Sequence, residues 1–583
     1  MEKLSPLEPG HPLPGAGTVA GVSVTTAGAE GDEVAISSKL FRCAWFRRLV
    51  PLAYREELYQ VLRLTGPLLL FRILSFLLPF VITIFCGHIG NAELAGYALA
   101  TSTINITTTA TGFGLALACD TLISQTFGSK NMKRVGVILQ RSSLILLLFC
   151  LPCWGLLINS YNLLILFQKG ILKFPFVSLL QAMFLHQLQV AYLQNQGIIL
   201  PQLYTAAAAN IFNLGANYVL IFNLELGVIG SAIANSLSQI IICLLLFGYI
   251  RWKKLHKQTW GGWSTDCLQE WGSYMNLAIP SLFMVCFEWW MWDIGGILAG
   301  ILGEVDLAAQ HVLMEIGALT YMFPLGIHAA SCVRVGNALG AGNTTRALLT
   351  CKVALVLSGT LAVCQGIIIA GSKSVIGYIF TSDENIVKMV SENLTIYTFI
   401  QFFDALLAVC SGVLVGAGMQ KIAALSNMVC YYCIGLPVGI ALMFTAKLRV
   451  LGLWIGIFVC IFFETGFFLF LIFKLNWKKV THKVGSSYIY LKHQLLCTLK
   501  AWLDGEVDGY IPVNTQNQEL KNLILRRGLI FLVSLIFLAI GVAVHIAFPV
   551  LEPSAQSRDN FTLNWANDST LTPLAPLNLT LNL

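Results

Sequence analysis

The sequence predicts an all-α protein that crosses a membrane many times, built as two pseudo-symmetric six-helix bundles with a thirteenth helix after them. Three observations carry that prediction. The 583 residues are 56% hydrophobic and only 11% charged, with a mean hydropathy of +0.74; a soluble domain is charged at about a quarter of its positions. Apolar runs of about 20 residues, the length that spans a bilayer, recur along the whole chain. Two stretches far apart in the chain also resemble each other at one fixed offset.

Taken in order, residues 1–38 are rich in Pro, Gly, Ala and Ser and lack the early apolar core of a signal peptide. Residues 1–54 are therefore expected to be a disordered or amphipathic cytosolic N-terminus. The first bundle, 55–250, is expected to hold spans near 60–86, 95–119, 135–158, 172–194, 203–223 and 227–250. A cytosolic linker, 251–273, precedes the second bundle, 274–474, with spans near 274–302, 307–331, 351–372, 394–417, 424–446 and 450–474. A polar cytosolic segment, 475–527, leads to the thirteenth span, 528–550, and an extracellular tail, 551–583.

Orientation follows from the cations. Arg42, Arg47, Arg48 and Arg55 precede the first span. Lys130, Lys133 and Arg134 follow the second, Arg251, Lys253, Lys254 and Lys257 the sixth, Arg334, Arg346 and Lys352 the eighth, and Lys474, Lys478, Lys479 and Lys483 the twelfth. These clusters fall on one side, read as the cytosol. The net charge of +7 thus marks membrane orientation, and no nucleic-acid partner is expected. Sequons at Asn560, Asn567 and Asn578 agree with an external C-terminus. The sixteen cysteines lie mostly in apolar spans and read as packing residues.

The internal repeat is specific. TGPLLLFRILSF (65–76) resembles AIPSLFMVCFEW (278–289); Pro67 matches Pro280, Gly90 matches Gly303 and Leu94 matches Leu307. Further on, QTFGSKN (125–131) resembles NALGAGN (337–343). An even number of spans separates the copies, so both have the same orientation and are related by an axis along the membrane normal. That architecture favours a secondary transporter with its site near mid-membrane. The glycine-rich segment follows a span rather than a strand and lacks Gly-Lys-Ser/Thr, which argues against a phosphate loop. With no paired nucleophile and base and no metal-ligand cluster, neither an enzyme nor a metal site is expected.

Candidate site residues are the charges that a bilayer would exclude. Glu288 and Asp293 lie in span 7, Glu315 in span 8 and Asp404 in span 10; the first half is read as having no acid at comparable depth. Each central charge costs about 2.5–3.5 kcal/mol on insertion scales. Counted from the span ends at about 1.5 Å per residue, Asp293, Glu315 and Asp404 fall in one layer, with Glu288 one to two turns deeper. Glu288 and Trp292, and Trp289 and Asp293, are i, i+4 neighbours, and Tyr321 adds an aromatic below Glu315. Carboxylates beside aromatic faces suit a bulky organic cation. Burial disfavours the charged form of a carboxylate, so a proton and a cation can compete for one site, which is the minimal mechanism of antiport. Asn105, with Thr107, Thr108, Thr109 and Thr111, forms a polar stripe in span 2 that either lines a cavity or bonds back to its helix. The alternative for the acids and indoles is hydrogen-bonded helix adhesion and core packing.

The motifs FCGHIG, ACDTLISQTFGSKN, VGVILQRS, PS-x-x-M-x-C-x-EWW, SCVRVGNALGAGN and GLPVGIALMF resemble the multidrug and toxin extrusion (MATE) family, in particular its vertebrate branch, over about residues 55–480. The resemblance implies two six-helix bundles around a V-shaped cavity, and export of small organic cations in exchange for protons at the plasma membrane. It implies no cofactor beyond the proton as coupling ion. Glu288 matches the family's principal acid, Glu315 a second, Asn105 the cavity asparagine, and Asp293 and Asp404 stand where relatives usually have Glu. Departures are Gln401, Trp292, Met314, Val415 and a shorter segment at 167–180. The alternatives are an antiporter with a shifted substrate or coupling ion, sodium included, and a membrane protein that kept the fold without transporting. The sequence sets no oligomeric state.

Overall fold

The computed structural model describes residues 50–89, 104–159, 177–224, 226–380, 383–485 and 513–547. Arg42, Arg47 and Arg48, the repeat residues Gly90 and Leu94, the segment 167–176 and the three tail sequons lie outside the described residues. Thirteen long helices follow one another: α1 (Leu52–Ile89), α2 (Asn105–Gly128), α3 (Met132–Ile158), α4 (Val177–Gln194), α5 (Leu200–Tyr218), α6 (Gly227–Trp252), α7 (Trp271–Leu302), α8 (Glu304–Gly340), α9 (Thr344–Ser372), α10 (Glu384–Ala417), α11 (Gln420–Thr445), α12 (Val450–Lys474) and α13 (Val513–Ala547). Each corresponds to one expected span. Several run past the apolar window because the polar flanks are themselves helical: α2 reaches Gly128 rather than 119, α8 reaches Gly340 rather than 331, and α10 begins at Glu384 rather than 394.

Among the described residues eleven helices are long and apolar enough to cross a membrane. The other two, α4 and α5, are diluted by amides, and these amides knit helices together. Gln202 Nε2 donates to the Val190 carbonyl (3.2 Å), Asn210 Nδ2 to the Leu74 carbonyl (2.9 Å) and Asn213 Nδ2 to Ser238 Oγ (3.0 Å). A polar side chain that crosses between helices is satisfied within the bundle instead of facing lipid.

The repeat has a geometric counterpart. Asn131 caps α3 by accepting from the Arg134 amide (3.3 Å), and Asn343 caps α9 by accepting from the Arg346 amide (3.0 Å). Just before each cap the chain turns through the left-handed region, at Lys130 (φ 62°) and Gly342 (φ 76°). The matched glycines then cross over. A Cβ on Gly128 would lie 2.2 Å from the Asn337 carbonyl oxygen, and one on Gly340 2.0 Å from the Gln125 carbonyl oxygen. Each glycine thus abuts the backbone of the partner motif, a reciprocity that only a two-fold relation between the halves produces. Each half has its own core, one including Leu115, Leu146 and Leu188, the other Val413, Trp454 and Phe468.

Between the halves, α2 packs along α7 and α8. Thr121 Oγ1 donates to the Val415 carbonyl (2.7 Å), Gln125 Nε2 to the Gly416 carbonyl (3.0 Å) and Gln420 Nε2 to Thr121 Oγ1 (2.6 Å). At the same end, the one rich in Lys and Arg, Glu57 of α1 is buried and clamped by α8 and α9. Arg334 Nε and NH2 each donate to its carboxylate at 2.6 Å, and Thr350 Oγ1 adds a third bond at 2.6 Å. At the opposite end Arg449 pairs with the fully buried Asp306. Helix α13 docks on α3: Asn159 Nδ2 donates to the Gly541 carbonyl (2.7 Å), while Arg527 Nε donates to the Leu268 carbonyl (3.0 Å) and its guanidinium lies 4.4 Å above the Trp271 ring.

Candidate functional site

Helix α7 carries EWWMWD, and its packing decides where each side chain goes. Asn427 of α11 donates through Nδ2 to the Met284 carbonyl (2.9 Å), fixing α11 against α7 one turn before Glu288. The three indoles leave in different directions. Trp289 stacks on Phe113 of α2 with centroids 5.4 Å apart. Trp290 Nε1 reaches the Ile106 carbonyl of α2 at 3.2 Å. Trp292 lies against the buried Trp454 of α12, 5.7 Å away, whose own Nε1 is held by Gln310 Oε1 at 2.9 Å. The first two bind the second half to the first, and the third braces α7 against α12.

Glu288 turns inward. Tyr321 of α8 donates its hydroxyl to Glu288 Oε1 at 3.3 Å. Both line a narrow cavity closed by Leu407, Ala408 and Ser411 of α10, Asn427 and Tyr431 of α11, and Glu464 and Phe468 of α12. The space is about 10 Å³, room for roughly one water molecule. Asp404 lies within electrostatic reach of Glu288, Tyr321 and Glu464. Among the described residues no Lys, Arg or His lines this cavity.

The other expected site residues lie elsewhere. Glu315 has His311 as its neighbour one turn before, Oε1 to Nε2 4.0 Å. Asp293 lies within electrostatic reach of Tyr432 of α11, a ring that packs edge-on to Phe287 at 5.4 Å. Neither belongs to the Glu288 cavity. Asn105 opens the π-helical first turn of α2, Asn105–Thr109. Of the threonines beside it, Thr108 and Thr111 bond back to their own helix, at 2.7 Å to the Ile104 carbonyl and 3.4 Å to the Thr107 carbonyl. Gln401 is buried and donates to the Ala362 carbonyl of α9 at 2.7 Å, a bond between helices.

Two acids fall outside the expected set. Asp120 is a buried acid of the first half that the sequence reading did not single out. It is buried in α2, because that helix continues past residue 119, and it accepts from Asn195 Nδ2 at 2.5 Å with Arg72 of α1 nearby. Its charge is matched inside its own half. Glu464 is a further buried acid of the second half, 1% exposed. An acid in the otherwise apolar run FFETGFF is itself the signal that locates it. Tyr431 lines the same cavity, yet neither Glu464 oxygen has a hydrogen-bond partner in good geometry among the described residues.

The arrangement is acceptor-rich. Glu288, Glu464 and Asn427 Oδ1 converge, with the hydroxyls of Tyr321, Tyr431 and Ser411 as neutral donors. Such a space favours a proton or a cation and repels an anion.

The MatE family model matches residues 67–219 and 280–441, one segment in each half. The chain is 46% identical over 541 residues to multidrug and toxin extrusion protein 1 of Danio rerio, covering 86% of this chain and 92% of that one. It is 49% identical over 435 residues to multidrug and toxin extrusion protein 1 of Homo sapiens, covering 73% and 76%. Among solved structures, the eukaryotic MATE transporter AtDTX14 superposes with a TM-score of 0.70 at 29% identity, over 74% of this chain and 99% of that one.

Proposed function

The chain belongs to the multidrug and toxin extrusion family of transporters, and from that premise we propose that it is a plasma-membrane antiporter that exports organic cations in exchange for protons. The observation that carries the reading is Glu288: a carboxylate in a cavity that no Lys, Arg or His lines among the described residues, held by one phenol, with two further acids in reach. A charge there is costly unless something positive accompanies it. A proton and an organic cation are the two candidates, and they exclude each other.

The cycle follows from that competition. A cation from the cytosol displaces the proton; the halves reopen outward; a proton from outside takes the carboxylate and releases the cation. With the Lys- and Arg-rich end taken as cytosolic and the C-terminus outside, the Glu57–Arg334 clamp and the crossed glycines seal the inner side. In this reading Trp289 and Trp292 shape the walls, Tyr321 positions the carboxylate, and Asp293, Glu315, Asp404 and Asn105 line the path that the cation takes as the halves part.

The test is uptake of labelled tetraethylammonium into cells or vesicles under an outward proton gradient, which runs the exchange backwards. Wild-type uptake should collapse when the gradient is removed. Glu288→Gln should reduce it to background at normal surface expression; undiminished uptake by that variant would remove Glu288 from the mechanism.

A further inference from the structure

Glu464 has no place in the exchange as derived so far, yet it is among the most buried charges of the second half. It sits on α12 in the middle of FFETGFF and is 1% exposed. Both of its oxygens are shut off from solvent, and neither makes a hydrogen bond of good geometry among the described residues, although the Tyr431 hydroxyl lies beside the carboxylate. It lines the same cavity as Glu288. The groups that face it are Glu288 of α7, Tyr321 of α8, Asp404 of α10, and Cys430 and Tyr431 of α11, with Cys460 one turn before it on α12. None of them carries a positive charge.

A structural role would leave a different imprint. Acids that only hold helices together here have a visible counter-group: Glu57 has Arg334 and Thr350, Asp306 has Arg449, and Asp120 has Asn195 and Arg72. Glu464 has neither cation nor amide. Two carboxylates facing one water-sized space cannot both be ionised cheaply. The next turn of α12 places Phe468 in the cavity wall, so water does not solve the problem from that side.

We propose that Glu464 is a second proton-carrying carboxylate of the transport site, coupled to Glu288 through the shared cavity. The inference rests on the antiport reading for its purpose, but not for its test. A proton bound at Glu464 lets the cavity close around both acids. Arrival of a cation beside Glu288 draws the two carboxylates toward one positive charge, and Glu464 gives up its proton. The two acids then titrate as a pair rather than as separate sites, and each cycle exchanges protons at both.

A hydrophobic carbodiimide tests this directly on the full-length purified protein. The reagent adds to a protonated carboxyl: the acid proton moves to a carbodiimide nitrogen, the carboxyl oxygen joins the central carbon, and rearrangement leaves a stable N-acylurea with no leaving group. Mass spectrometry should find the adduct on the peptide containing Glu464 in mildly acidic potassium buffer. Alkaline buffer should abolish it, and excess tetraethylammonium should suppress it. In proteoliposomes, the pH dependence of uptake should fall from a two-proton to a one-proton slope in Glu464→Gln and return in Glu464→Asp. An unmodified Glu464, an adduct indifferent to the organic cation, suppression by sodium alone, or an unchanged slope in Glu464→Gln would each overturn the proposal. Absence of gradient-driven uptake in the wild type would instead refute the antiport reading, and cation protection of the Glu464 adduct would still decide whether it belongs to the binding site.

Discussion

The Glu57–Arg334 pair offers the sharpest quantitative test of how the halves are held. Arg334→Met removes the guanidinium and keeps most of the side-chain volume. Glu57, with 5% of its side chain exposed, then keeps Thr350 at 2.6 Å and Arg346, which is 52% exposed and 3.7 Å away. Stranding one partner of a buried pair costs about 3–5 kcal/mol. Arg346 can swing closer and recover part of that, which puts the expectation near the lower end, about 3 kcal/mol. That is roughly a hundredfold in the equilibrium between a sealed and a parted inner end. Ser124, fully buried at the seam beside Gly336, can report it as Ser124→Cys, alkylated only when the seam parts. Its labelling rate should rise about a hundredfold in Arg334→Met, and by a similar factor in Glu57→Gln, where Arg334 is the stranded partner. In the double variant the rise should be well short of the product, because neither charge is left unpaired. If the two effects simply multiply, the pair is not a clamp and the seam is held by the α2 contacts alone.

Three other outcomes are expected. Gly340→Ala would set a methyl 2.0 Å from the Gln125 carbonyl; neighbouring backbone cannot yield that far, so the melting temperature should fall by the equivalent of about 1–3 kcal/mol or more, and gradient-driven uptake should fall with it. Tyr321→Phe removes a single long hydrogen bond, 3.3 Å, worth about 0.5–1.5 kcal/mol, so cation half-saturation should worsen by no more than about tenfold while surface expression is unchanged. Gly541→Leu would drive a side chain into Gly155 of α3, whose Cα lies 2.6 Å from the position of the new Cβ; α13 should undock, read as faster proteolysis of the segment before it, with uptake retained because the described residues that line the Glu288 cavity include none from α13.

The sequence made the helices, their number and the two-fold repeat legible because each is written in one dimension: apolar run length, cation placement and a motif offset. Position along each helix is counted in the same single dimension. Azimuth is not. Residue counting puts Asp293, Glu315 and Asp404 in one layer, but none of the three lines the cavity that Glu288 shares with Glu464. On a helix as uniformly apolar as α12 no amphipathic stripe says which way Glu464 faces. Asp120 escaped for a simpler reason: the apolar window ends one residue before it, while the helix runs on to Gly128. The indoles illustrate a further limit. Their spacing is compatible with a cage around a ligand, and three different partners on two different helices take them up instead.

The crossed contacts of Gly128 and Gly340 are made to carbonyl oxygens, not to side chains. Every amino acid supplies the same carbonyl, so Gln125 and Asn337 are free to drift at that contact, while the two glycines have nowhere to go. A saturation scan of both motifs should therefore show an uneven landscape: two positions where every substitution fails, separated from broad tolerance by a single turn of helix. The same logic explains how two repeated bundles can differ in chemistry, one matching its buried Asp120 with Asn195 and Arg72 and the other setting Glu288 and Glu464 on one cavity, while their join stays fixed. At this crossing the recognition between the halves is written in the polypeptide backbone, which mutation of Gln125 or Asn337 cannot edit.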